Sequence, residues 1–282
     1  MRPQVRLAYY TVMLPTVGPE EAARLGRELG FDGIEWRVAH RSAALRSEPP
    51  SFFANNHCTL EASDDDARRA AAWASEAGLE MPNLGTYIDV GDLEAVTRHM
   101  RFARAVGAAS IRIGAAPLDE DYVQGRERTR AFVRSVEPLA RQHGVRAVVE
   151  THFGTVCASA SQARDLVEGC DPEWIGVLYD VGNMVFEGFE DYRAALGTLA
   201  EYLHLVHVKN ALVTPRPGGG AERSWAALDA GLADIGALVE ELATRGYAGW
   251  LVIEDFSTER PDRERLRYDR DWLTALLRQR WR

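Results

Sequence analysis

Cysteine is scarce in this chain of 282 residues: Cys58, Cys157 and Cys170 stand far apart, with no C-x-x-C spacing. An odd, scattered set argues against a disulfide scaffold and against a thiolate zinc site, and it suits a reducing, cytoplasmic setting. Long apolar runs are missing as well. None reaches the roughly 18 residues of a membrane span. The first residues, MRPQVRLAYYTVM, lack the apolar stretch of a secretory leader. Positive charge is in deficit, with 33 Lys+Arg against 42 Asp+Glu and a formal net charge of −9. That balance opposes an electrostatic grip on nucleic acid or on an anionic membrane, and leaves small molecules as the expected partners. No G-x-G-x-x-G follows the first β-rich run, so a Rossmann sheet loses ground, and no glycine-rich phosphate cradle is visible.

What the chain does have is alternation. Short β-rich runs occur at 5–10, 33–37, 79–84, 109–113, 145–150, 175–180, 204–208 and 250–254. Segments with apolar residues at helical spacing separate them, such as Leu93, Val96, Met100 and Ala103, or Ile235, Leu238, Val239 and Leu242. Gly30, Gly78, Gly107 and Gly144 stand before strands, where a helix wants a left-handed closing residue. Strict alternation predicts a parallel sheet with helical crossovers. By length alone, at about 150 residues per domain, one or two domains are open. Eight units of roughly 35 residues use the whole chain, which predicts one (β/α)₈ TIM barrel over residues 1–282. Two irregular stretches, 38–63 and 210–230, follow the second and seventh strands and belong on the C-terminal face, where barrels keep their chemistry. Pro215–Gly220 reads as a mobile lid or a plain flexible loop, with Arg216 either closing over an anionic group or simply solvated. His57 is expected to be a solvated loop histidine. The basic stretch Arg263–Arg282, interleaved with acids, is expected to be the polar face of the last helix.

Titratable residues end the apolar runs. The fifth strand ends on Glu150, followed by Thr151 and His152; the sixth ends on Asp180 and the seventh on His207-Val208-Lys209. The eighth leads into Glu254, and the second carries Glu35. Inward carboxylates at a barrel rim are costly unless paired or bound to metal. Glu, Asp, His and Glu on four consecutive strands would bring three oxygen ligands and one imidazole to one point. Such a set suits one divalent ion: Mn²⁺, Mg²⁺, Co²⁺ or Zn²⁺. The plainer alternative is that each acid salt-bridges a neighbouring arginine or lysine.

The runs VVETHFGT, LYDVGN, HLVHVKNA, GYAGWLVIEDF and FDGIEWR resemble the xylose-isomerase-like TIM-barrel superfamily of sugar (phosphate) isomerases and epimerases. By position, the resemblance makes Glu150, Asp180, His207 and Glu254 the metal ligands. It places His152 and Lys209 against the substrate or the ligands, and Glu35 in the pocket lining. Two positions depart from the pattern: Asn183 stands where many relatives have His, and Asn210 where many have Asp. An amide can orient a ligand or a substrate hydroxyl but cannot relay a proton. Lys209 could equally form a salt bridge to Glu150 or Glu254.

The chemistry implied by the resemblance is proton transfer beside a carbonyl of a polyol or keto substrate, through a metal-stabilised cis-enediolate. Glu150 and Glu254 would face the two sides of the carbon chain. ETHFGT, VHVKN and LGTYIDV also resemble the 3-dehydroshikimate dehydratases of the same superfamily, a lyase alternative. There Arg112 would pair with a substrate carboxylate; it could instead pair with Glu150. An endonuclease-IV-type reading is disfavoured by the net charge and by His99 and His143, which fall in outer helices. A non-enzymatic barrel and a homo-oligomer are further alternatives that the residues leave open.

Overall fold

Eight parallel strands close into a barrel because each apolar run pairs with the next and the last returns to the first. In a computed structural model describing residues 5–118 and 121–281, they are β1 (Arg6–Tyr10), β2 (Gly33–Val38), β4 (Leu84–Thr86), β5 (Ser110–Ile113), β6 (Arg146–Glu150), β7 (Ile175–Asp180), β8 (Leu203–Val208) and β11 (Trp250–Ile253). Closure is carried by β1, which pairs with β11 through Leu7↔Leu251 and with β2 through Tyr10↔Glu35. Arg282, at the end of the basic stretch, lies outside the described residues.

Helices fill the crossovers: α1 (Pro19–Leu29), α3 (Asp64–Ala77), α4 (Leu93–Val106), α5 (Tyr122–His143), α6 (Ala160–Val167), α8 (Tyr192–Leu199), α9 (Ile235–Thr244) and α10 (Asp262–Arg280). Most start on a side-chain cap; Ser63, Asp92, Asp121, Ser159, Asp191 and Asp234 each accept the backbone N–H three residues on. The expected glycines close four of them, with φ of +71° at Gly30 and +83° at Gly107, and Gly78 and Gly144 alike. His99 and His143 lie on α4 and α5, as expected.

Three expectations need correction. The third strand is β4, three residues at Leu84–Thr86 rather than a run over 79–84. Pro82 has no N–H for the ladder, so the earlier part makes only the isolated bridge Gly33↔Glu80. The stretch 38–63 contains α2 (Ala43–Arg46) and the two-residue strand β3 (Thr59–Leu60) on the edge of β2. The stretch 210–230 is no irregular loop: β9 (Asn210–Pro215) and β10 (Ala221–Ala226) form an antiparallel hairpin. Its turn carries Gly218, Gly219 and Gly220, all at positive φ. The sequence AERSWA hid β10, because most of that strand is exposed and polar.

The last helix also differs from expectation. Asp262, Arg265 and Asp269 are buried. Arg265 donates to the carbonyls of Met13, Ser257 and Arg260 and to Asp262, while Thr16 donates twice to Asp262. These bonds tie α10 to the loops after β1 and β11. Burial and the neighbouring Asp255 carboxylate push Asp269 up to about 9. The folded chain therefore keeps a proton that the unfolded chain releases. That contribution is complete below about pH 4 and falls by up to about 1.4 kcal/mol per pH unit until the folded value is passed. Asp269→Asn is expected to flatten the slope and to raise stability by a few kcal/mol at pH 8, checked by urea unfolding at several pH values.

Inside the barrel, alternation sets two layers, since residues two apart share a face. Ala8, Val148, Leu178, Leu205 and Val252 form an apolar layer. The residues two further along those strands are Tyr10, Glu150, Asp180, His207 and Glu254.

A candidate metal centre at the barrel mouth

The second layer collects the charges. Ligand atoms of Glu150, Asp180, His207 and Glu254, all buried, lie within 4.8 Å of one another. Register puts Asp180 opposite His207 and His207 opposite Val252, so three of the four come from adjoining strand ends. His207 Nδ1 is 3.4 Å from Glu254 Oε2 and 3.9 Å from both Glu150 Oε1 and Asp180 Oδ2.

Every member has a partner that orients it. Arg112 Nη1 donates to Glu150 Oε2 at 2.6 Å, and Arg112 Nε donates to the Thr86 carbonyl at 3.1 Å. Lys209 Nζ donates to Asp180 Oδ2 at 3.0 Å and to Glu254 Oε2 at 2.8 Å. Asn183, fully buried, donates Nδ2 to Glu150 Oε1 at 3.4 Å and to the Thr151 carbonyl at 3.2 Å. Its own backbone N–H is capped by Asp180 Oδ1 at 2.8 Å. The plainer alternatives for Lys209 and Arg112 therefore hold as structure: both are ion-paired to cluster carboxylates.

The electrostatics show what these pairs leave unbalanced. Burial alone would raise Glu150 and Glu254, but Arg112 and His152 hold Glu150 low, and Lys209 and His207 hold Glu254 low. Burial, with Glu254 and Glu150 beside it, pushes Asp180 up to about 7 against the pull of Lys209. Burial would lower His207, yet Glu35 and Glu254 raise it well above its ordinary value. Counting Glu35, four buried carboxylates face two permanent cations, Arg112 and Lys209. Without an ion, protons on Asp180 and His207 make up the shortfall, and a divalent ion would supply that charge in their place. Among the described residues His207 Nδ1 has no well-formed hydrogen bond; it is buried and faces three carboxylates, the nearest being Glu254 at 3.4 Å. An unpartnered imidazole nitrogen among carboxylates fits a divalent cation.

Above the cluster opens a cavity of about 480 Å³. Its polar lining includes Arg112, Glu150, His152, Lys209 and Glu254; its aromatic lining is Phe53, Tyr87, Phe153, Trp225 and Phe256. Lys209 Nζ sits 4.4 Å from the Trp225 ring centre and 4.9 Å from that of Phe256. His152 stacks on Phe153, with ring centres 4.7 Å apart.

Three positions named from the sequence as substrate contacts fall outside this lining. Glu35 lies beneath the cluster, fully buried and accepting from His207 Nε2 at 3.0 Å. Asn183 lies behind Glu150. Arg216 sits exposed in the hairpin turn, held there by its backbone bonds with Gly219 and Gly220. His57 is exposed, as expected. Asn210 anchors the hairpin: Nδ2 donates to the carbonyls of Leu228 and Ala233, and Oδ1 accepts from Ala211 and Ala233 N–H. An ionised Asp could not make the two donations. The aromatic wall went unnoticed in the sequence. Phe256, two residues past Glu254, carried a parity signal; Trp225, in a polar strand, carried none.

With the geometry in place, the known proteins similar to this chain can be set beside it. The model of the xylose isomerase-like TIM barrel matches residues 23–276. The chain belongs to that family. Among curated proteins, the inosose dehydratase of Geobacillus thermodenitrificans is 29% identical over 127 residues, covering 41% of this chain and 42% of that protein. The chain thus spans about two fifths of the length of that relative. A probable 3-DHS dehydratase from Bacillus anthracis has the same fold, with a TM-score of 0.70, 16% identity and coverage of 96% and 99% of the two chains. An L-ribulose 3-epimerase superposes with a TM-score of 0.74 at 17% identity, over 98% of this chain and 95% of that one. The IOLI protein, solved with a zinc atom, gives 0.74 at 12% identity over 98% and 99%. Proteins that share this fold thus include both an epimerase and a probable dehydratase. No helix among the described residues is long and apolar enough to cross a membrane.

Proposed function

We propose that the protein is a divalent-metal-dependent isomerase or epimerase of a small polyhydroxylated ketone, phosphorylated or not. Glu150, Asp180, His207 and Glu254 would hold the ion, which when bound supplies positive charge for a carbonyl oxygen. One observation carries the reading. Of the four cluster residues, only Glu150 and Glu254 also line the cavity, and they come from β6 and the end of β11, with β7 and β8 between them. Two carboxylates held ionised on separate walls can take a proton from one side of a carbon and return one to the other. Lys209 and His152 would bind substrate oxygens, and Trp225 and Phe256 would shield the reacting carbon from water.

A lyase reading has its own support. The partial relative is an inosose dehydratase, and Arg112 lies in the cavity wall, where part of its guanidinium could meet a substrate carboxylate. One experiment separates the two. Protein reconstituted with Mn²⁺, Mg²⁺, Co²⁺ or Zn²⁺ is incubated in D₂O with ketoses, an inosose and 3-dehydroshikimate, and followed by proton NMR and ultraviolet absorbance. Deuterium entering beside the carbonyl, together with the epimer or isomer, is the expected result. Loss of water with a new ultraviolet band makes the protein a lyase, and no exchange with any of these ketones sinks both readings.

A further inference from the structure

Glu35 and Asn83 touch neither the cavity nor the three clustered carboxylates, yet both are fully buried and polar. They belong to a line of hydrogen bonds that crosses the barrel. Arg146, at the start of β6, bonds to His204 Nδ1. His204 Nε2 lies 3.2 Å from Ser110 Oγ, and Ser110 Oγ is 2.7 Å from Asn83 Oδ1. Asn83 Nδ2 donates to Glu35 Oε1 at 3.0 Å, and Glu35 Oε2 is 3.0 Å from His207 Nε2.

The line has only one consistent direction. Arginine can only donate, so His204 Nδ1 accepts and its ring proton sits on Nε2. Burial and Arg146 push His204 down to about 3, in keeping with a neutral ring. Ser110 Oγ accepts that proton and shares its own between Asn83 Oδ1 and the Pro82 carbonyl, 2.9 Å away. The Asn83 amide must then turn Nδ2 toward Glu35, since the opposite flip would set its oxygen against a carboxylate. Glu35, acceptor on both oxygens, places a proton on His207 Nε2. Nδ1 is thereby the nitrogen that faces the cluster, where it can bind an ion once its own proton leaves.

The backbone is bent to make the line possible. Between β7 and β8, Val177 faces Leu203 while Leu178 faces Leu205, so His204 is an extra residue with no partner on β7. Its imidazole reaches Ser110 on β5. Gly176 permits this, because a Cβ there would come within 3.1 Å of His204 Cβ.

We infer that Glu35 is a positioning residue that holds His207 by its Nε2–H and so aims Nδ1 at the cluster, and that Asn83, Ser110 and His204 keep it in that role from the far end of the barrel. The inference rests on the proposed metal site, so its test includes a readout that needs no metal. In the metal-free protein, labelled with ¹⁵N-histidine, a downfield Nε2–H proton of His207 is expected. In Glu35→Gln the side-chain amide can turn its own N–H toward His207, and that signal should vanish or move far upfield. An unchanged signal overturns the inference whether or not the protein binds metal. In calorimetric titration with Mn²⁺ or Zn²⁺, Glu35→Gln is expected to bind on the order of 10–100-fold more weakly at an unchanged wild-type stoichiometry. Affinity equal to wild type overturns the inference. If the wild type takes up no ion, the proposed function fails while the proton signal still decides this point. Should Glu35→Gln not fold, Ser110→Ala serves, with a smaller shift of the same proton expected and no shift counting against the line.

Discussion

Glu254→Gln is expected to reduce epimerisation on the order of 10³-fold while leaving solvent exchange from one of the two epimers. The substitution keeps the shape of the side chain and removes its capacity to take a proton. Lys209 retains Asp180 as a partner at 3.0 Å, so the cation is not stranded. Glu150 keeps Arg112 and Asn183 and can still act on its own side of the substrate. Deuterium should therefore enter the epimer whose proton faces Glu150 and no other, and Glu150→Gln should show the reverse preference. Proton NMR of each pure epimer in D₂O with each variant gives the answer. If both variants still bind one ion each by calorimetric titration and yet lose exchange from both epimers, the two carboxylates act as one unit and the two-base reading falls.

Lys209→Met is expected to destabilise the metal-free protein by several kcal/mol, a fall in melting temperature on the order of 10 °C. Lys209 is buried and bonds two carboxylates at once. Methionine preserves the contact with Trp225 and Phe256 but removes the one ammonium that bonds both Asp180 and Glu254, leaving only His207 beside them. Burying an unpaired charge costs more than losing the pair's own attraction. Divalent ion should restore part of the loss, because it brings positive charge to the same two carboxylates. Thermal melts with and without Mn²⁺ test this; a variant that melts with wild type in the absence of metal would mean that Lys209 carries none of this balance.

The fold was legible because two periodicities repeat over the whole chain, and because helix-closing glycines fall where the turns need them. The cluster was legible for the same reason: on β6, β7 and β8 an inward apolar residue precedes an inward titratable one by two positions. What the sequence did not disclose depends on neighbours remote along the chain. Glu35 has the parity of a pocket residue, but His207, 172 positions away, draws it beneath the site. Asp269 looks like a surface acid until α10 packs against the loops after β1 and β11. The hairpin escaped notice because an exposed strand needs no alternation, and among the described residues β10 pairs with β9 alone.

That hairpin has a consequence for how substrate preference can change. It places Trp225 in the cavity wall, yet it belongs to a two-stranded sheet separate from the barrel. Asn210 fastens its base, and none of the four clustered ligand residues lies on it. Residues 212–224 can thus vary in length and sequence without moving the atoms that would hold the ion. On the proposed reading, substrate preference could be changed through the ribbon while the barrel keeps the residues that would hold the ion.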